Sequence, residues 1–213
     1  MPVSHSAQKM RKAAEHILAV DPAFASIIES SPLCNIGRKK YQDVNHFQAL
    51  VNSVIAQQLS VKAADTITAR VTHALDGDVS PTKIRDVADL DLRSAGLSGA
   101  KTRTIKEMAH AWHVNDYDFS DPKLSDHEII SELTKLWGIG RWTVEMFLMF
   151  TLHRLDIWPT GDLAMRRGWE KIHGLSDFVE PKNLDDQGEI FRPYRSVAAW
   201  YCWRIIDGDS TTW

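Results

Sequence analysis

Apolar residues recur at three- and four-residue spacing along nearly the whole chain, and no alternating run of useful length appears. Phe47, Leu50, Val51, Val54 and Ile55 make one such stripe, which predicts a helix with a single buried face. Ser60 is placed to cap the next helix, with Ala63, Ala64, Ile67, Val71 and Leu75 inward and Gly77 as its stop. Ser6 to Val20 predicts an N-terminal helix, after which Asp21-Pro22 supplies the cap and first residue of another. Ser80-Pro81 opens a short helix, and Val87 to Ala95 gives another, closed by Gly96. Thr102 to His113 follows, with Ile105, Met108, Ala109 and Trp112 on its inner face. Asn115 to Asp121 reads as an acidic loop. Asp126 to Leu136 is a predicted helix, then comes the turn Trp137-Gly138-Ile139-Gly140, then a long apolar helix from about Trp142 to Leu152. Leu155-Asp156-Ile157-Trp158 is a locally extended candidate, and Asn183 to Gln187 reads as a loop. Asp162 to Ile172 and Phe191 to Ile206 complete the set. The predicted class is all-α, with about ten helices.

Composition narrows the function classes. The 213 residues leave ample apolar material for a core, in one large domain or two small lobes. No window approaches the roughly 18 uncharged apolar residues of a membrane span. Met1 to Lys12 is polar, so no secretory signal is expected there. Cys34 and Cys202 are too few for a disulfide framework, a four-cysteine zinc site or an iron–sulfur cluster, which suggests a reducing compartment. With 25 basic against 28 acidic residues the net charge is −3, so a nucleic-acid partner must be met by a local patch. Segment 116–132 holds six acids against one lysine, which concentrates negative charge in one place.

Leu136-Trp137-Gly138-Ile139-Gly140-Arg141-Trp142-Thr143 is the most informative stretch. Two glycines flanking one apolar residue between helices allow a tight turn. The first amides of the second helix then carry the positive end of its dipole, a phosphate site that needs no net positive charge. Further along, Pro159 and Gly161 make a turn and Asp162 caps the helix behind it. Capping holds a carboxylate in place. A plain helical corner and an ordinary helix cap explain either feature taken alone.

Three further blocks add a resemblance. They are Val51-Asn52-Ser53-Val54-Ile55-Ala56-Gln57-Gln58-Leu59-Ser60-Val61-Lys62-Ala63-Ala64, Trp158-Pro159-Thr160-Gly161-Asp162-Leu163-Ala164-Met165-Arg166-Arg167, and Arg192-Pro193-Tyr194-Arg195-Ser196-Val197-Ala198-Ala199-Trp200-Tyr201-Cys202-Trp203-Arg204. In this order and spacing, from about Phe47 to Trp203, the chain resembles the helix-hairpin-helix DNA glycosylases of the alkylpurine branch, the DNA-3-methyladenine glycosylase II type. It is similar to a compact form without the N-terminal β domain of longer members.

The resemblance implies two helical lobes with the active site in the cleft between them. One lobe, 37–154, would carry the hairpin; the other, 1–36 plus 155–213, would carry the catalytic aspartate, Asp162. It implies a base pocket from Trp142, Met146, Trp203 and Trp158, in which the electron-rich indole faces attract a cationic purine. Gln57, Gln58, Leu59 and Ser60 match the loop that fills the gap left by an extruded base, with Gln58 where some relatives use an apolar wedge. Gly138, Ile139, Gly140, Arg141 and Thr143 would bind the DNA backbone. Lyase-active relatives have a lysine at the position of Trp142, and tryptophan is no amine nucleophile, so a monofunctional enzyme is implied. No cofactor is required, although main-chain oxygens of Thr134, Leu136 and Ile139 are placed to hold a structural sodium or potassium ion. The implied partner is duplex DNA containing alkylated purines, bound by a monomer, with no membrane. Its place would be the cytoplasm at the nucleoid in a bacterium, or the nucleus in a eukaryote.

Candidate phosphate contacts are Arg38-Lys39-Lys40, Lys62, Lys101, Arg103, Arg141 and Arg166-Arg167. His110 and His113 lie three apart on a helix with no third ligand nearby in sequence, so a surface pair is expected. The rival reading is a non-catalytic helix-hairpin-helix module that recognises distorted duplexes. A bifunctional oxidised-base enzyme is disfavoured by Trp142.

Overall fold

The computed structural model describes residues 5–38 and 45–207 apart from 116, 120 and 122, so Lys39 and Lys40 lie outside the described residues. Twelve α-helices and two 3-10 segments are present among the described residues, and no strand. No helix there is long and apolar enough to cross a membrane. The chain divides into two units, one formed by Asp43–Phe147 and the other by Pro2–Gln42 with Leu148–Trp213.

The first unit holds α3 (His46–Ala56), α4 (Val61–Ala74), α5 (Pro81–Asp86), α6 (Asp89–Ser94), α7 (Gly99–Asn115), α8 (Asp126–Leu133) and most of α9 (Arg141–Phe150). Its axis is α7, against which α3, α5 and α6 pack. All five residues of the α3 stripe are buried, and they meet Ile105, Met108 and Ala109 in the same core. Ser60 caps α4 as predicted, accepting from the Ala63 amide, and Ser80 at the start of α5 accepts from Lys83; Ser125 with Glu128 adds a reciprocal capping box over α8 that the sequence reading did not single out.

The second unit contains α1 (Ala7–Val20), α2 (Ala25–Ser30), α10 (Leu163–Ile172), α11 (Pro181–Asp185) and α12 (Arg195–Asp207). Its most extensive helix pair is α10 with α12. Gly168 makes this approach possible, because a Cβ there would stand 1.8 Å from the Cys202 carbonyl oxygen. Phe24, Trp158, Trp169 and Phe191 pack edge-on and tilted in the core beside that pair.

Several expected boundaries move. The helix after Gly96 begins at Gly99 rather than Thr102, because the Ser98 hydroxyl accepts from the Lys101 amide. The helix before the hairpin stops at Leu133, and Thr134 to Leu136 already turn. Residues 183–187, expected as a loop, are helical: Pro181 starts α11, Leu184 is buried, and the 3-10 segment Asp186–Phe191 follows. The last helix begins at Arg195, since Arg192, the residue before Pro193, is held extended at ψ 139° and cannot continue a helix.

Candidate active site

In the first unit the turn after α8 closes with the Ile139 amide donating to the Leu136 carbonyl at 3.1 Å. Gly138 sits at φ +80°, and a Cβ there would lie 2.1 Å from Thr104 Oγ1. The position therefore requires glycine twice over, for its backbone and for its contact with α7. Ile139 and Thr143 are buried, so any DNA contact from them runs through the main chain. Arg141 opens α9 and its Nε meets Glu145 at 2.7 Å. The N-terminal end of α9 carries the positive end of its dipole. Trp142, at 40% exposure, stands one turn from the half-buried Met146.

The loop after α3 is fastened to this hairpin. Gln57 Nε2 donates to the Gly138 carbonyl at 3.3 Å and to Thr143 Oγ1 at 3.1 Å. Gln58, at the tip, holds φ +58° with an exposed side chain, beside the exposed Leu59. Ser60 closes the loop as the cap of α4.

In the second unit Asp162 caps α10 as its sequence suggests. Its Oδ1 accepts from the Met165 amide at 2.7 Å and from the Trp203 indole Nε1 at 2.9 Å. Trp203 comes from α12, so the helix pair that Gly168 permits is also what brings indole and carboxylate together. The far end of α10 is anchored through Glu170, which accepts from the Val179 amide and from Arg167. Burial by itself would raise the Glu170 carboxyl, but the Val179 and Arg167 hydrogen bonds more than offset it and hold the group below its usual range.

Other sequence expectations are corrected. Trp158 is not a pocket face: it is buried against Trp169 and Phe191, and its Nε1 donates to the Leu184 carbonyl. Lys101 is turned inward onto the carbonyls of Ile55 and Gln57 at 2.7 and 2.8 Å. Arg166 is buried, donates to the Val179 carbonyl and lies over Phe178. Arg103 is stacked 4.2 Å from the centroid of Trp137 and paired with Glu107. Lys62 is exposed. No group of three His, Cys, Asp or Glu residues among those described has metal-site geometry. Thr104 and the indole N–H of Trp203 were missed as positioning groups, because their partners are distant in sequence and only the fold pairs them.

Comparison with known proteins places these features. The HhH-GPD superfamily of base excision DNA repair proteins matches residues 51–193. DNA-3-methyladenine glycosylase 1 of Schizosaccharomyces pombe is 36% identical over 162 residues, 74% of this chain and 71% of the relative. The DNA-3-methyladenine glycosylase of Saccharomyces cerevisiae is 30% identical over 222 residues, 97% of this chain and 74% of that one. Among solved structures, the S. pombe 3-methyladenine DNA glycosylase in complex with abasic DNA matches with a TM-score of 0.80 at 30% identity, covering 95% of this chain and 100% of that chain. A DNA-3-methyladenine glycosidase from Bacillus halodurans gives 0.78 at 34%, covering 90% and 88%. The match takes in both the glycine hairpin and the capped aspartate, and the chain belongs to the HhH-GPD superfamily of base excision DNA repair proteins.

Proposed function

We propose that the chain is a monofunctional DNA N-glycosylase that hydrolyses the N-glycosidic bond of alkylated purines, of the 3-methyladenine type, in duplex DNA. It flips the base out and leaves an abasic site for base excision repair. The observation that carries this reading is Asp162, whose Oδ1 accepts N–H groups from both Met165 and Trp203. A pure duplex-binding module has no use for a carboxylate held from two helices.

The chemistry follows from charge. An alkylated purine is often cationic, so the bond from C1′ breaks with both electrons going to the base, which leaves neutral. The second carboxylate that glycoside cleavage normally needs as an acid is therefore dispensable. The sugar passes through an oxocarbenium-like state, against which a fixed anion is most effective because it need not reorganise. Water then adds at C1′ through its oxygen and releases one proton to solvent, so the sugar hydroxyl, the neutral base and that proton balance the step. Trp142 offers a ring face to the cationic base. It also lacks the amine that a Schiff base requires, which argues against strand cleavage by the enzyme.

Base flipping costs a few kcal/mol and leaves a gap for the exposed tip Gln58-Leu59 to fill. A sodium or potassium ion at the hairpin would be held by main-chain oxygens of Thr134, Leu136 and Ile139, adding positive charge beside a phosphate. Leu136 accepts the Ile139 N–H, and its carbonyl has a second lone pair for such an ion. The test is base release from methylated duplex DNA by the wild type and Asp162→Asn, with the product strand checked for breaks without alkali. Released 3-methyladenine on an unbroken strand supports the reading; no release, or strand breaks that track release, removes it.

A further inference from the structure

The base-flipping reading leaves open how a loop tip stays in place while it displaces a base. Gln58 occupies the left-handed region without being glycine, and such a conformation persists only where its flanks are over-determined. Both flanks are held. On one side Ser60 caps α4. On the other, the Lys101 ammonium, on the first turn of α7, bridges the Ile55 and Gln57 carbonyls at the end of α3. The Gln57 side chain then continues the chain of contacts to the Gly138 carbonyl and the Thr143 hydroxyl. The same stretch of α7 supplies Thr104, against which Gly138 is packed. Burial pushes the Lys101 pKa below its ordinary value, in keeping with a cation that serves carbonyls rather than solvent.

We propose that Lys101 and Gln57 are positioning residues that lock loop 57–60 onto hairpin 138–143, so that force for base extrusion is transmitted from the phosphate grip. This rests on the base-flipping reading above. It also reassigns Lys101, which by sequence alone is a phosphate contact. The two roles predict opposite behaviour in salt. A phosphate lysine lowers the salt slope by about one when removed and weakens all duplexes alike. A strut leaves the slope unchanged and impairs extrusion.

The experiment compares wild type, Lys101→Met, Lys101→Arg and Gln57→Met. Three readouts are taken: salt dependence of binding to an undamaged duplex, fluorescence of 2-aminopurine beside an abasic analogue, and single-turnover 3-methyladenine release. For Lys101→Met we expect an unchanged slope, undamaged-duplex affinity within about twofold, a weakened 2-aminopurine signal, and release slowed on the order of tenfold. Arginine, with several donors for the two carbonyls, should recover most of the signal. Gln57→Met should weaken the signal in the same way, and it carries the test if Lys101→Met does not fold. A slope lower by one with the signal intact makes Lys101 a phosphate contact and overturns the proposal. Wild-type signal in both methionine variants overturns it equally. The fluorescence readout needs no catalysis, so absent base release by the wild type would sink the glycosylase reading without touching this one.

Discussion

At Asp162 one carboxylate oxygen meets two N–H donors, the Met165 amide and the Trp203 indole. Asn caps a helix about as well as Asp and offers the same acceptor, so Asp162→Asn should alter stability by less than about 1 kcal/mol. Only the charge is lost. Base release should then fall on the order of 10²-fold or more, the scale of a removed preorganised electrostatic group. Near-wild-type release by a folded Asp162→Asn would end the catalytic assignment. Trp203→Phe separates packing from hydrogen bonding, since the ring beside Phe150 remains and the indole N–H goes. With the carboxylate less firmly held, we expect kcat to drop on the order of tenfold with little change in KM; a rise in KM alone would make Trp203 a base contact instead. Asp162 was legible in sequence because a turn residue before a helix start is a local signal. The Trp203 bond was not, because an indole can stack or donate, and its partner lies 41 residues away.

Elements were legible in proportion to how local their signals are. The stripe Phe47 to Ile55 and the serine caps needed only neighbours in sequence, and they stand in the structure as read. The stretch 183–187 was misread because its polar residues look like a loop, while the fold gives Leu184 a core to enter. Helix pairing was hidden too, and glycines show where it matters. A methyl at Gly168 would meet the backbone of α12, which cannot yield as a side chain could. Gly168→Ala should cost about 3 kcal/mol or more, which lowers Tm by roughly 6–12 °C for a protein of this size. It should also reduce base release by parting Trp203 from Asp162; a variant with wild-type Tm would refute the close approach of α10 and α12. In the other unit Gly138→Ala meets a positive φ and the Thr104 hydroxyl together. Adding Thr104→Ala should restore duplex affinity in part, because the steric share is relieved and the backbone share of about 1–2 kcal/mol stays. Full recovery would show that the left-handed turn carries no cost.

For the whole molecule the balance of charge is set by how many cations the fold already uses. Two histidines act on stability first. Burial lowers the pKa of His5, despite its bond to the His153 carbonyl, and burial likewise lowers that of His46, despite Asp118. Both folded values lie under 6.5, so below that pH the unfolded chain binds more protons, and stability is lost as pH falls toward the folded values. The Tm should decline from pH 6.5 to about pH 5, less steeply in His5→Gln and His46→Gln; unchanged slopes in both variants would contradict this. DNA binding answers to the remaining cations. Lys101 and Arg166 bond to carbonyls, and Arg103, Arg141 and Arg167 face Glu107, Glu145 and Glu170. Of the candidate phosphate contacts among the described residues, that leaves Arg38 and Lys62 to release counterions from DNA, on a chain of net charge −3. On the proposed reading the grip then rests on the main-chain amides of the hairpin, which are dipoles and displace fewer condensed ions than full charges do. We therefore expect a log–log salt slope corresponding to about three to five phosphate contacts, the same for damaged and undamaged duplexes, since backbone contacts position without reading the base. A slope near ten contacts would require a large basic surface, more than the three arginines could supply by leaving their glutamates, and would overturn the account of a grip built on few phosphates.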